Sequence, residues 1–157
     1  MISQVVTIEK AVPECLDKVL EILSGAGLPH DGVEEYLSGF LIARGGSGQI
    51  LGCVGLERHG DLGLLRSAAV LPEYRGQWIG SKLVRELIRR AAAGGITEVA
   101  LLTTTAGDYF QKQFGFKEAK RSRYDNRLAD SPEWNLPRCS SAAFMTLKLK
   151  PETDSIN

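Results

Sequence analysis

Arg66-Ser-Ala-Ala-Val70-Leu-Pro-Glu-Tyr-Arg75-Gly-Gln-Trp-Ile-Gly80 is the stretch on which the fold of this chain turns. It closes a strand predicted over residues 62–70, makes a tight turn marked by Pro72 and Gly76, and passes directly into a helix. A turn feeding a helix leaves the first N–H groups of that helix unpaired at the positive end of its dipole, where an anion is favoured. Gly76 and Gly80 let a ligand approach the main chain, and Arg75 adds a full positive charge. The segment Arg75, Gly76, Gln77, Trp78, Ile79, Gly80 and Ser81 therefore reads as a diphosphate cradle.

Beyond the turn, Ile79, Leu83, Val84, Leu87, Ile88 and Ala91 give one continuous apolar helix face, stopped by Gly94 and Gly95. Residues 99–102 follow as a short buried strand, 106–113 as a short helix, 116–120 as a strand and 142–149 as a closing strand. Between the last two, residues 122–140 hold two prolines and many polar groups and read as a long loop with room for one helical turn. On the other side of the cradle, residues 39–44, 49–57 and 62–70 are predicted strands joined by the glycine cluster 45–48 and by His59-Gly60-Asp61, an antiparallel meander. Residues 5–11 form a first strand. Pro13 opens a helix carrying Cys15, Val19, Leu20, Ile22 and Leu23 as far as Gly25, and a shorter helical patch is predicted over 32–37.

The order of elements is that of an α+β domain with a mixed, mostly antiparallel sheet flanked by helices. At 157 residues it is expected to be one domain over 1–150, with a disordered tail over 151–157. The 19 basic residues are balanced by 19 acidic ones, which gives no electrostatic case for nucleic acid and points to a small-molecule partner. Cys15, Cys53 and Cys139 are too widely spaced for a zinc ligand set or a disulfide framework, so no metal is expected and a reducing cytoplasm fits best. No secretory signal or membrane span is predicted. The antiparallel strand before the cradle, and the lack of a phosphate-loop lysine, argue against a nucleoside triphosphate site.

With Val70 to Leu83 at its centre, the chain resembles the GNAT superfamily of acetyl-CoA-dependent N-acetyltransferases. Their signature runs Arg or Gln, two residues, Gly, one residue, Gly or Ala. Arg75 and Gly80 match its ends, whereas Trp78 stands at the middle glycine, a position assigned here to the first helical turn with the side chain pointing outward. The likeness spans roughly residues 1–150 and includes Phe114-Gly115-Phe116-Lys117. Segments 40–44, 52–58, 65–70, 101–106 and 137–143 are similar to the small arsenic-resistance and amino-acid N-acetyltransferases. The N-acetylglutamate synthase domain is similar over the same strands, but its closing Arg-Ser-Lys pattern is replaced by Cys139-Ser140-Ser141.

This resemblance implies acetyl transfer from acetyl-CoA to the amine of a small amino acid or amino-acid-like compound by direct attack. The pantetheine arm would lie on the backbone of Ala68, Ala69 and Val70, and the same strand would offer an N–H to the thioester oxygen. Attack by a neutral amine needs a base for the ammonium and an acid for the leaving thiolate. Glu57 is the candidate base. The usual acid position carries Gln111, so Tyr109 is the candidate acid, with Tyr124 or a water as substitutes. Arg66 or Ser67 could meet a substrate carboxylate, although Arg66 is equally suited to an internal salt bridge. His30 and His59 read as solvated loop residues. Trp78 and Trp134 are assigned to packing or interfaces, and Cys139 and Ser140 to a substrate wall or merely the last strand. The alternatives are an N-acetylglutamate synthase-like enzyme, a protein or peptide N-acetyltransferase, and an acyl-CoA-binding sensor without catalysis. A homodimer pairing through the last strand is compatible with the resemblance.

Overall fold

The computed structural model describes residues 5–137 and 141–150. Cys139, Ser140 and the tail 151–157, to which the sequence reading assigned roles, lie outside them. Strand β1 (Val6–Lys10) is followed by a 3-10 turn at Pro13–Cys15 and helix α1 (Leu16–Gly25). A proline opens this segment at no cost because the first helical N–H groups lack intrahelical partners anyway. Val19, Ile22 and Leu23 bury one face of α1. The chain then folds back, with the Leu28 N–H donating to the Leu23 carbonyl at 2.9 Å. No helix forms over 32–37. Gly32 takes φ 79°, outside the right-handed range, and residues 31–36 are turns ahead of a 3-10 turn at Leu37–Gly39.

The meander consists of β2 (Phe40–Gly45), β3 (Ile50–His59) and β4 (Leu62–Val70). It is followed by α2 (Ile79–Ala93), β5 (Glu98–Thr103), α3 (Gly107–Phe114), β6 (Lys117–Glu118) and β7 (Ala143–Lys148). These strands form one seven-stranded sheet in the order β1-β2-β3-β4-β5-β7-β6. β1 pairs antiparallel with β2, β2 with β3, and β7 with both β5 and β6. The strand expected over 116–120 is only two residues long. Phe116 turns away into an aromatic group instead, its ring 5.6 Å from that of Phe110.

One expectation needs amending. β4 is not antiparallel on both sides: it runs parallel to β5, with Leu62–Leu65 opposite Glu98–Leu101. α2 is the reason, since a helical crossover returns the chain to start β5 in the same direction as β4. The parallel ladder covers only that first half of β4, so the backbone of Ser67–Val70 lies outside it.

The described chain divides into two compact units. One comprises the residues up to Leu56 together with Ser67–Leu87; the other comprises Glu57–Arg66 and the residues from Ile88 onward. In the first, α1 packs Val19, Ile22 and Leu23 with Val33, Phe40, Ile42, Cys53 and Ala69. In the second, Leu62, Leu64, Ala100, Leu128 and Phe144 make the core, with Tyr124 and Trp134 against it. The long loop is therefore part of that core. Tyr124 and Trp134 each meet Phe144 edge-on at 5.0 Å, and Leu128 is fully enclosed. No helix among the described residues is long and apolar enough to cross a membrane.

Candidate active site

The cradle is built from backbone. After Val70, Pro72–Tyr74 makes a 3-10 turn and the Arg75 Nε–H donates to the Val70 carbonyl at 2.9 Å, fastening the turn to the end of β4. Gly76 then takes φ 80° and Trp78 takes φ 65°. Trp78 thus precedes α2, rather than lying in its first turn, and holds the left-handed conformation that a glycine at this signature position would adopt freely. Its half-exposed indole lies 5.2 Å from the Lys82 ammonium, which also donates to the Val6 carbonyl at 3.2 Å. The first hydrogen bond of the helix runs from the Lys82 N–H to the Trp78 carbonyl, 3.0 Å. The amides of Ile79 and Gly80 come ahead of it, oriented as helix-start donors are.

β4 approaches its neighbours closely before the turn. A Cβ on Gly52 would stand 2.8 Å from the Ala69 carbonyl oxygen and 3.3 Å from Leu83, so only glycine fits there. Ser67 sits at φ 60°, a kink in the strand ahead of Ala68, Ala69 and Val70. Its carbonyl accepts the Cys53 thiol at 3.4 Å. Burial pushes that thiol up to about 12, so Cys53 remains a neutral donor that holds the kink. Ala68 is exposed and Ala69 buried.

The side chains proposed for proton transfer and substrate binding fall in a different environment. Glu57 is completely enclosed. One oxygen accepts from Arg66 Nη1 at 2.8 Å and the other bonds His59 Nε2 at 2.9 Å. The Arg66 guanidinium is also fully buried, making the internal salt bridge that the sequence left open against substrate binding. His59 is not a solvated loop residue: its side chain is 8% exposed because it completes the bonding of Glu57. A fourth member, Glu133, had no sequence signal. Its Oε2 lies 3.9 Å from Arg66 Nε, and its Oε1 is the one buried side-chain polar atom among the described residues with no hydrogen-bond partner. Enclosure, opposed by Arg66 and reinforced by the Glu57 charge, raises its carboxyl to about 7.

Local structure explains how Glu133 is carried. Ser131 is buried and its Oγ accepts the Trp134 N–H at 3.0 Å, while Asn135 Nδ2 bonds the carbonyls of Ala129 and Ser131, both at 2.8 Å. This closed turn fixes the Pro132-Glu133 segment. Farther back, the Tyr124 hydroxyl donates to Glu98 at 2.6 Å, and Arg127 pairs with Asp61 at 3.1 Å. Burial and the Glu98 bond hold the Tyr124 phenol above its ordinary value. Tyr109 stands on α3, 37% exposed, its ring edge-on to Phe110 and Phe114 at 5.3 and 5.8 Å. Gln111 is exposed.

A strand, a glycine-bearing turn and a crossover helix inside a mostly antiparallel sheet are the parts of the acetyltransferase fold that the sequence leads one to expect. The chain belongs to the acetyltransferase (GNAT) domain family, whose profile matches residues 37–118, more than half of it. An uncharacterized N-acetyltransferase of Chlorobaculum tepidum is 28% identical over 118 residues, covering 72% of this chain and 74% of the relative. In overall structure the chain is similar to N-acetylglutamate synthase from Neisseria gonorrhoeae, solved with coenzyme A and L-arginine. That match has a TM-score of 0.75 at 22% identity and covers 92% of this chain. The chain spans only 33% of the synthase's length. A Mycobacterium tuberculosis protein solved in complex with CoA aligns at TM-score 0.75 and 20% identity, covering 92% of this chain and 99% of that one.

Proposed function

We propose that this enzyme moves an acetyl group from acetyl-CoA to the amine of a small amino acid or amino-acid-like compound. The observation that carries the coenzyme reading is the turn before α2. Gly76 and Trp78 both hold left-handed conformations, Arg75 is tied to Val70, and the Ile79 and Gly80 amides precede the first helical hydrogen bond. That arrangement suits a diphosphate. The CoA complexes among the structural relatives support the same assignment, and the likeness to N-acetylglutamate synthase supports an amino acid as acceptor. Arg75, Gly76, Gln77, Trp78, Ile79, Gly80 and Ser81 would hold the diphosphate, and Ala68, Ala69 and Val70 the pantetheine arm. The kink at Ser67 would turn a strand N–H toward the thioester oxygen. Tyr109 would return a proton to the departing sulfur.

Calorimetric binding of CoA and a thiol-release screen with the common free amino acids and short peptides test this directly. Release with free amino acids and not with peptides is the expected result. Binding without release on any amine would favour an acyl-CoA sensor, and absence of CoA binding would reject the turn as a diphosphate site. Arg75→Ala should weaken CoA at least about tenfold, the worth of a charge-assisted contact, and leave pantetheine, which lacks the diphosphate, unchanged.

A further inference from the structure

The hydrogen bonds described for residues 129–136 close on themselves. The Ser131 N–H donates to the Leu128 carbonyl at 3.0 Å and the Leu136 N–H to the Glu133 carbonyl at 3.1 Å, while the bonds of Ser131 Oγ and Asn135 Nδ2 stay within the segment. It is a preformed turn, joined by side chains to the strands of its own compact unit, which holds Glu57–Arg66 as well. Two side chains carry the described contacts across. The Trp134 ring meets Phe144 of β7 edge-on at 5.0 Å, with the Arg121 guanidinium 5.3 Å from it. Glu133 Oε2 lies 3.9 Å from Arg66 Nε on β4. The ring contact is indifferent to the charge of a carboxyl, whereas the second join sets two enclosed carboxylates, Glu57 and Glu133, on one guanidinium.

That guanidinium is already committed. Arg66 Nη1 donates to one Glu57 oxygen at 2.8 Å, and His59 Nε2 bonds the other at 2.9 Å. Glu133 is left with the long contact, and its buried Oε1 has no partner among the described residues. As an ion it would hold a second negative charge away from water with one oxygen unanswered, whereas the neutral acid carries no such cost. We infer that a proton on Glu133 is the latch that seats residues 129–136 against β4, and that losing it to water lets this segment lift while the strands beneath stay folded. The surroundings set where the latch works. Enclosure raises the Glu133 carboxyl most, Arg66 of β4 lowers it and Glu57 of β3 raises it again, which leaves it at about 7. His59 of β3 is bonded to Glu57, Arg121 lies against Trp134, Glu98 of β5 is taken up by Tyr124 and Arg127, and β7 presents the uncharged Phe144. A lifted, hydrated Glu133 would titrate near its ordinary 4.5. The seated form is therefore fully favoured below about pH 4.5 and loses that advantage as pH rises through about 7, the opening constant growing about tenfold per pH unit in between. Nothing in this latch depends on what the turn before α2 binds.

Amide hydrogen exchange on the full chain tests it, with rates corrected for the intrinsic effect of pH. The amides to follow are those of Trp134, Asn135 and Leu136, whose bonds lie inside the turn. In wild type their protection should fall about 10²-fold between about pH 4.5 and 7 and then level off. It should be insensitive to urea below the unfolding transition, and the amides of Val99–Leu101 on β5 should stay better protected throughout. Glu133→Gln, a neutral group of the same shape, should abolish the fall. Glu57→Gln removes the like charge and should end the fall at lower pH. Protection independent of pH in wild type, or an equal fall in Glu133→Gln, would overturn the latch. So would an end point unmoved in Glu57→Gln, because the two carboxylates would then not share Arg66. A fall matched by Val99–Leu101 with the same urea dependence would also overturn it, since the whole unit and not this segment would be opening.

Discussion

The turn before α2 and the cluster of Glu57, His59, Arg66 and Glu133 solve opposite problems. The turn is shaped by main chain: two left-handed residues set its course, the amides of Ile79 and Gly80 come ahead of the first helical bond, and residues 75–78 are exposed. The cluster handles charge with side chains. Arg66, flanked by two carboxylates, is fully enclosed, and Glu133 keeps one oxygen without a partner. Backbone can present donors to an anion without paying for buried charge, whereas a titrating carboxyl acquires an unusual affinity for protons only when water is kept away. Exposure thus suits the role proposed for the turn, whereas enclosure is what raises the Glu133 carboxyl.

The sharpest way to break the contrast is Arg66→Met. Removing the cation leaves Glu57 and Glu133 buried together without their shared partner, at an expected cost of about 3–5 kcal/mol in urea unfolding. A cost below about 1 kcal/mol would mean that water reaches the cluster and that the two regions are alike. The pH dependence of stability is the next largest effect. Folded Glu133 holds its proton up to about 7, against an ordinary value of 4.5, so the folded chain binds more protons than the unfolded chain between these values. Its contribution is complete below about pH 4.5 and is lost as pH rises through about 7. The urea midpoint should fall over that window, and Glu133→Gln should flatten the fall. Trp78→Gly tests the open region with the smallest effect. Relief of a left-handed residue is worth about 1–2 kcal/mol, and the exposed contact with Lys82 is worth about 0.5–1. A net gain of about 1 kcal/mol in thermal unfolding is expected. A loss would show that the indole, and not the backbone alone, shapes the turn.

What could be read in advance divides along the same line. The end of β4 and the start of α2 at Ile79 were legible because strand, turn glycine and helix periodicity are local signals. Trp78 misled, since its position was assigned to the first helical turn, whereas the turn ahead of α2 sets its φ. Arg66 and Glu133 are brought together across many residues by β4 and by a loop with no periodicity, so no spacing rule could connect them. His59 looked like a turn residue because it borders Gly60, yet its ring turns inward to bond Glu57. The short β6 went wrong for a packing reason: Phe116 was counted as a strand residue but belongs to the aromatic group with Phe110.

The place of β7 between β5 and β6 bears on how the polypeptide emerges from the ribosome. β5 gains its parallel partner early, but its other edge, from Glu98 to Thr103, is answered only by Ala143–Lys148. Until those residues are made, an apolar strand waits with a bare row of amides and carbonyls, a template for any other nascent chain. The interval before Ala143–Lys148 are made is therefore one in which this edge of β5 is open to mispairing.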